Sequence, residues 1–236
     1  MNILGLVSAV KLDGAMGCTT FLNHYSYLVH KRCGTRLDAF DAIHVDGIAM
    51  VWLLRAFGVR ASRLSFDYSS IADAVFQWLE MNRKTLFIAG AQQGEIVSFV
   101  TCLRDRYPAI SIVGFESGHF ESDTNRANCI AKIVDLKPDV LLVGMGAPLQ
   151  EDFIIDVLDK GWSGVAYTCG GFIHQTAAKG GKYYPPIFDR LHLRWLYRLI
   201  DEPKLWKRYF ISYPVASAHL IKDAIVLRVF SARRYR

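Results

Sequence analysis

The chain has 236 residues, 52% hydrophobic and 21% charged, which suits one large α/β domain or one domain with an appendage and excludes a disordered polypeptide. Its formal net charge of +6 is uneven: from Arg190 onward there are 11 Lys/Arg against 3 Asp/Glu, while the residues before it carry 17 against 19. A basic, aromatic-rich tail on a near-neutral body points to anionic lipid or nucleic acid as the tail's partner.

In chain order, Asn2–Val7 reads as a first strand. Thr19-Thr20-Phe21-Leu22 leads to Asn23, which either caps the helix predicted over His24–Lys31 or hydrogen-bonds a ligand. A short strand, Ala42–Val45, runs into Asp46-Gly47 and a helix over Ile48–Phe57. Thereafter strands and helices alternate. The strands are Thr85–Ala89, Ser111–Val113, Val140–Val143 and Val165–Thr168; the helices, from apolar residues at 3–4 residue steps, are Ser69–Asn82, Gly94–Tyr107 and Thr124–Leu136. Gly90, Gly114, Gly144 and Gly170 close the strands. Strand, glycine loop and helix, repeated, predict an α/β fold: a Rossmann-like, mostly parallel sheet with helices on both faces and its ligand loops on one edge. The turn-rich stretch Gly180–Pro186 then divides a domain over 1–182 from a basic helical appendage over 183–236. In the appendage a helix is predicted over Ile187–Ile200, with Phe188, Leu191, Trp195 and Leu199 on one face and Arg190, Arg194 and Arg198 in an adjoining stripe. A second, shorter helix over Lys204–Tyr213 carries Trp206, Lys207 and Arg208.

Other classes are disfavoured. Five cysteines, an odd number without a CxxC pair, support neither a zinc site nor a disulfide framework. The N-terminus has no basic region ahead of its apolar stretch, so no signal peptide is expected. The nearest candidate for a membrane span, Ala218–Phe230, is interrupted by Lys222, Asp223 and Arg228.

The candidate chemistry sits at strand ends. The segment Asp139–Asp152 is a buried strand that breaks into Gly144-Met145-Gly146-Ala147-Pro148 and then Gln150-Glu151 at a helix start. Bare backbone N–H groups and a helix N-terminus there make a place for a diphosphate. Glu151 is equally explained by the helix dipole, and Gln150 is placed to reach a sugar hydroxyl or a diphosphate oxygen. Asp46 reads either as a general base or as a helix cap. Gly170-Gly171 forms a second phosphate or sugar contact or only a sharp turn, and His174 beyond it is a catalyst or a structural histidine. Gly144-x-Gly146 lacks the third glycine of a dinucleotide fingerprint. The chain contains no phosphate-loop, HExxH, GxSxG or DxD signature.

Taken together these pieces resemble the WecG/TagA/CpsF family of bacterial glycosyltransferases. The matches run in family order from about Asn23 to Phe210. They comprise Asn23, Asp46-Gly47, Leu86–Gly90, Tyr107-Pro108, Ile112-Val113-Gly114, Gly118-His119-Phe120, Pro138-Asp139, Val143–Pro148, Gln150-Glu151, Gly170-Gly171, Trp195–Leu199, Glu202-Pro203 and Arg208-Tyr209. The resemblance implies transfer of a sugar, with inversion, from a nucleotide donor, usually UDP-linked, to a saccharide on a polyprenyl diphosphate in surface-polysaccharide assembly. It implies no metal or other cofactor, with Asp46 as the base. It implies donor and acceptor contacts from Asn23, Gly47, Gly90, Gly144, Gly146, Pro148, Gln150, Glu151, Gly170, Gly171 and His174. The basic appendage, through Arg190, Arg194, Arg198, Lys207 and Arg208, would meet the diphosphate and an anionic membrane surface rather than nucleic acid. That places the protein peripherally on the cytoplasmic face of the inner membrane, with a homo-oligomer left open.

Departures mark a divergent member. Phe21 stands for a Thr, Leu149 for a Lys, His174 for an Asp and Arg194 for a Glu. Tyr183-Tyr184-Pro185 replaces an Arg-Ala-Pro, and Arg63–Asp67 replaces a glycine-containing segment. These changes leave the sugar open, and with it two other readings: a non-catalytic relative that binds a nucleotide sugar, and, more remotely, a dinucleotide-dependent oxidoreductase.

Overall fold

The computed structural model describes residues 17–59, 61–179, 194–201 and 205–234. The expected strand at Asn2–Val7 and the linker at 180–186 lie outside them. Six parallel strands form one sheet: β1 (Thr19–Leu22), β2 (Ala42–Val45), β3 (Thr85–Gly90), β4 (Ser111–Glu116), β5 (Val140–Gly144) and β6 (Val165–Thr168). Their order across the sheet is β2-β1-β6-β5-β3-β4. Nine α-helices are described: α1 (His24–Cys33), α2 (Ile48–Ala56), α3 (Ala72–Met81), α4 (Gln93–Arg106), α5 (Asp123–Leu136), α6 (Leu149–Asp159), α7 (Phe172–Lys179), α8 (Arg194–Asp201) and α9 (Tyr213–Arg234).

The two-residue period of the strands sorts their side chains into two cores. Leu22, Phe87, Ala89, Leu141, Val143 and Ala166 face one way and pack with α1, α2, α5, α6 and α9 through residues such as Tyr27, Met50, Ile133, Phe153 and Leu220. Phe21, Leu86, Ile88, Val140, Leu142 and Tyr167 face the other way, against α3, α4 and α7 through Phe76, Phe99 and Phe172. The helices packed on the sheet contribute apolar stripes; in α4 the stripe is Ile96, Phe99, Val100 and Leu103, at helical spacing.

One central strand, β1, has no clear sequence signature. It is four residues long, and two of them are threonines. It is nevertheless fully buried, because Thr20 is satisfied internally, donating to the Glu151 carboxyl at 2.8 Å.

Several family motifs hold the scaffold outside the cavity. Asp139, beside Pro138, accepts from the Thr85 N–H at 2.9 Å and from the Lys84 ammonium at 2.9 Å, locking the start of β3 to that of β5. The Tyr107 hydroxyl donates to Asp73 at 2.6 Å, tying α4 to α3. The Gly118 N–H donates to the Ala91 carbonyl at 3.0 Å, and the His119 ring Nδ1 lies 3.0 Å from the same oxygen.

The C-terminal segment departs from the expected short helix over Lys204–Tyr213. A π-helical turn, Arg208–Ser212, runs directly into the 22-residue α9. Pro214 has no N–H to give to the preceding turn, and the wider turn, in which the Tyr213 N–H reaches the Arg208 carbonyl, accommodates it without ending the helix. Ala216, Leu220 and Ala224, four residues apart, are buried. Asp223 accepts from the Tyr27 hydroxyl at 2.5 Å and the Lys31 ammonium at 2.6 Å, fastening α9 to α1. Among the described residues no helix is long and apolar enough to cross a membrane.

At the end of β3 the backbone leaves no room for a side chain. Gly90 has φ +154°, and a Cβ there would stand 2.4 Å from the Gly144 carbonyl oxygen at the end of β5. Gly90→Ala is expected to lower stability by about 2–4 kcal/mol, combining backbone strain with overpacking against main chain; urea denaturation with a tryptophan fluorescence readout measures it.

Candidate active site

The parallel arrangement puts the C-terminal ends of β1, β2, β5 and β6 around one cavity of about 580 Å³. Asn23 and Phe21 line it from β1, Asp46 and Gly47 from β2, Gly146 and Gln150 from β5, and Thr168, Gly170 and Gly171 from β6. Arg208, Tyr209, Phe210 and Tyr213 cover it from the C-terminal segment.

Asp46 lies one residue beyond β2, its N–H held by the Leu22 carbonyl at 2.8 Å. Gly47, not Asp46, occupies the N-cap of α2. The side chain is 41% exposed, and its Oδ1 lies 3.5 Å from Arg63 Nη2. Arg63 is in turn held by the Ser65 hydroxyl at 2.8 Å and lies 3.4 Å from Asp67 Oδ2. The Leu64 N–H bonds the Val45 carbonyl at 2.9 Å, fixing this segment to β2. The Arg63–Asp67 stretch that departs from the family pattern therefore brings a guanidinium beside the candidate base. Sequence reasoning assigned the cations to the basic appendage; the available signal for Arg63 was the i, i+2, i+4 spacing of Arg63, Ser65 and Asp67.

Asn23 is a cap, as its position suggests, and a cavity residue as well. Its Oδ1 accepts from the N–H groups of Tyr25 at 3.0 Å and Ser26 at 3.1 Å, and Ser26 closes the reciprocal capping box. Gln150 is almost wholly buried. Its Nε2 donates to Glu151 Oε1 at 2.9 Å and its Oε1 accepts from the Gly170 N–H at 3.0 Å. Glu151 lies beneath the cavity, not on its wall, with no solvent exposure.

Gly90, Gly144, Pro148 and His174 are also absent from the cavity wall. Gly90 serves the close approach of the β3 and β5 ends, and Gly144 that of β5 to the β6–α7 turn, where a Cβ would stand 2.8 Å from Ile173 Cδ1. His174 pairs its Nδ1 with Glu95 at 2.6 Å across the α4–α7 contact. Of the expected appendage contacts, Arg190 lies outside the described residues, and Arg194 and Arg198 fall on α8. Lys207 is exposed beside Trp206.

Among the described residues, Arg208 is the C-terminal cation that reaches the cavity. Its guanidinium stacks on the Tyr25 ring, 3.9 Å from the centroid, and its Nε is buried without a hydrogen-bond partner. His24 stacks on Tyr213, 5.0 Å between centroids. The cavity thus has a polar wall, with Asn23, Asp46, Arg63, Ser65, Asp67 and Thr168, facing an aromatic wall with Tyr25, Tyr209, Tyr213 and one guanidinium. A carboxylate, two cations and the turn that opens α7 are the parts needed to take a proton at one end of a displacement and to meet negative charge at the other.

Burial pushes the His24 pKa down to about 4. The folded state therefore resists a proton that the unfolded chain takes up near pH 6.5. Stability from His24 is complete above pH 6.5 and falls as the pH drops towards 4, at about 1.4 kcal/mol per pH unit. In urea titrations His24→Phe is expected to reduce the loss of stability between pH 7 and pH 4.5 by about 2 kcal/mol relative to wild type.

Comparison with known proteins agrees with this geometry. The profile of the glycosyl transferase WecG/TagA/CpsF family matches residues 6–229. A UDP-Gal:alpha-D-GlcNAc-diphosphoundecaprenol beta-1,4-galactosyltransferase of Shigella boydii is 35% identical over 91% of this chain and 90% of its own length. N-acetylglucosaminyldiphosphoundecaprenol N-acetyl-beta-D-mannosaminyltransferases are also similar. That of Bacillus spizizenii is 29% identical over 75% of this chain and 67% of its own, and that of Staphylococcus aureus 32% identical over 58% and 52%. With the match extending over nearly its whole length, the chain belongs to the WecG/TagA/CpsF family of glycosyltransferases.

Proposed function

We propose that the protein transfers galactose from UDP-galactose to N-acetylglucosamine carried on undecaprenyl diphosphate, inverting the anomeric centre. The near full-length similarity to the Shigella boydii galactosyltransferase favours this donor and acceptor. The observation that carries the mechanism is Asp46, exposed in the cavity at the end of β2 and paired with Arg63. The acceptor hydroxyl attacks the anomeric carbon from the face opposite UDP. Asp46 accepts its proton as the new C–O bond forms and the bond to the diphosphate breaks. Arg63, paired with Asp46 and Asp67, orients the base, while Arg208 and the Gly171 amide meet the charge released on UDP, so the reaction runs without a metal ion. Asn23 holds the β1–α1 turn that faces Asp46.

The acceptor's lipid tail requires the cavity to open at a bilayer, and we place the protein peripherally on the cytoplasmic face of the inner membrane. Trp206, Phe210, Ile211 and Val215 are exposed large hydrophobic residues of the segment that covers the cavity, with Lys207 among them. Apolar side chains interleaved with basic ones suit an anionic headgroup layer, to which each Lys or Arg contributes about 1 kcal/mol.

Purified protein with lipid-linked N-acetylglucosamine and a panel of UDP-sugars tests the reaction. Transfer from UDP-galactose is expected, with kcat lowered about 10²–10⁴-fold by Asp46→Asn. Preferential transfer from UDP-N-acetylmannosamine would move the assignment to the other named activity, and an unchanged Asp46→Asn rate would remove the base. Sedimentation with anionic vesicles tests docking: binding falls as salt rises and is weakened at least tenfold by Ile211→Asp combined with Val215→Asp. Equal binding by the double variant would place the contact elsewhere.

A further inference from the structure

The Gly170-Gly171 turn at the end of β6 is held by a chain of buried groups that begins on the far side of α1. Glu151, on α6, has no exposed surface, and neither does the side chain of His30 on α1. Glu151 Oε1 accepts two hydrogen bonds, from the Thr20 hydroxyl at 2.8 Å and from Gln150 Nε2 at 2.9 Å. The Thr168 hydroxyl donates to Thr20 at 3.0 Å. Glu151 Oε2 and His30 Nε2 face each other at 3.6 Å, and neither has a hydrogen-bond partner. His30 Nδ1 lies 3.1 Å from the Thr35 hydroxyl.

The direction of these bonds matters. A primary amide can be turned end for end with little change in shape, so packing alone does not fix which end of Gln150 points where. An acceptor at Glu151 Oε1 attracts the NH₂ end. The carbonyl end must then face the cavity loop, where it receives the Gly170 N–H at 3.0 Å. Gly170 has φ +54° and opens α7 with Gly171 and Phe172, all three on the cavity wall. If the amide were reversed, its NH₂ would confront the Gly170 N–H, donor against donor, and the turn would have to move.

We propose that Glu151 is a positioning residue: it polarises the Gln150 amide and thereby holds the Gly170-Gly171 turn in the shape that receives the donor's leaving group. What it supplies is an acceptor oxygen at the Oε1 position, and a negative charge is not required. The part played by the turn rests on the reaction proposed above; the bracing of the turn does not.

Glu151→Gln and Glu151→Met separate the alternatives. Glutamine keeps a carbonyl oxygen for Thr20 and Gln150, and its NH₂ faces His30 Nε2, which accepts when the ring proton sits on Nδ1 toward Thr35. Methionine fills a similar volume with no such acceptor. Kinetics of sugar transfer are expected to show kcat within about threefold of wild type for Glu151→Gln and at least thirtyfold lower for Glu151→Met, with circular dichroism spectra of folded protein for both. In a double-mutant cycle Gln150→Leu and Glu151→Met should be non-additive, the pair no more than threefold worse than the poorer single variant, because both cut the same chain. Amide hydrogen exchange at Gly170, which needs no turnover, should quicken at least tenfold in Glu151→Met and stay near wild type in Glu151→Gln. If glutamine is as impaired as methionine, or the cycle is additive, or Gly170 exchange is unchanged in both, the positioning role is overturned. Exchange that follows this pattern in a protein that transfers no sugar keeps the brace and overturns the reaction it was meant to serve.

Discussion

Parallel pairing of all six strands is the constraint on which the rest of the molecule depends. It brings every strand-to-helix loop to a single edge. The order β2-β1-β6-β5-β3-β4 then sets the ends of β1 and β2 beside those of β6 and β5, although more than ninety residues separate the two pairs in sequence. Asp46 on one side and the Gly146 and Gly170 loops on the other come to face the same space for that reason alone. The family motifs at Tyr107 and Asp139 secure the helices and strand starts that keep this edge aligned.

Placing polar groups at the centre of such a sheet is costly unless each finds a partner. Here Thr20, Thr168, Gln150 and the Oε1 of Glu151 satisfy one another across β1, β6 and α6, while Glu151 Oε2 faces His30 Nε2 at 3.6 Å. A half-made network of this kind is worse than an apolar core, so its members act as a unit. The site above inherits this rigidity: the wall that meets charge is anchored in the core, while the wall that closes over it is anchored by one helix.

That helix, α9, has two faces. Ala216, Leu220 and Ala224 join it to the body, and Asp223 secures it to Tyr27 and Lys31. Ile211 and Val215, just before it and in its first turn, and Ile221 and Ile225 further along, remain exposed. The interruption of Ala218–Phe230 by Lys222 and Asp223 is thus explained for Asp223, which makes a specific contact with the body. Arg208 lies where this segment crosses the cavity, so the placement of the second cation depends on the docking of α9.

Hydrophobic periodicity and strand-closing glycines were enough to read the alternating α/β pattern, because a strand buried on both faces needs a continuous apolar run, as in Val140–Val143. They missed β1, whose buried Thr20 is stabilised by Glu151, a partner far away in sequence. The candidates at Asp46, Asn23, Gly146, Gln150 and Gly170-Gly171 were legible as polar or glycine residues at strand ends, and they meet in one cavity. Composition and motif order set the fold class, the family and the basic tail, since these depend on local pattern and on counts. Which residues touch depends on distances between segments remote in sequence. Only the tertiary structure could therefore bring Arg63 beside Asp46, carry Arg208 over Tyr25, withdraw Glu151 into the core and send His174 to Glu95.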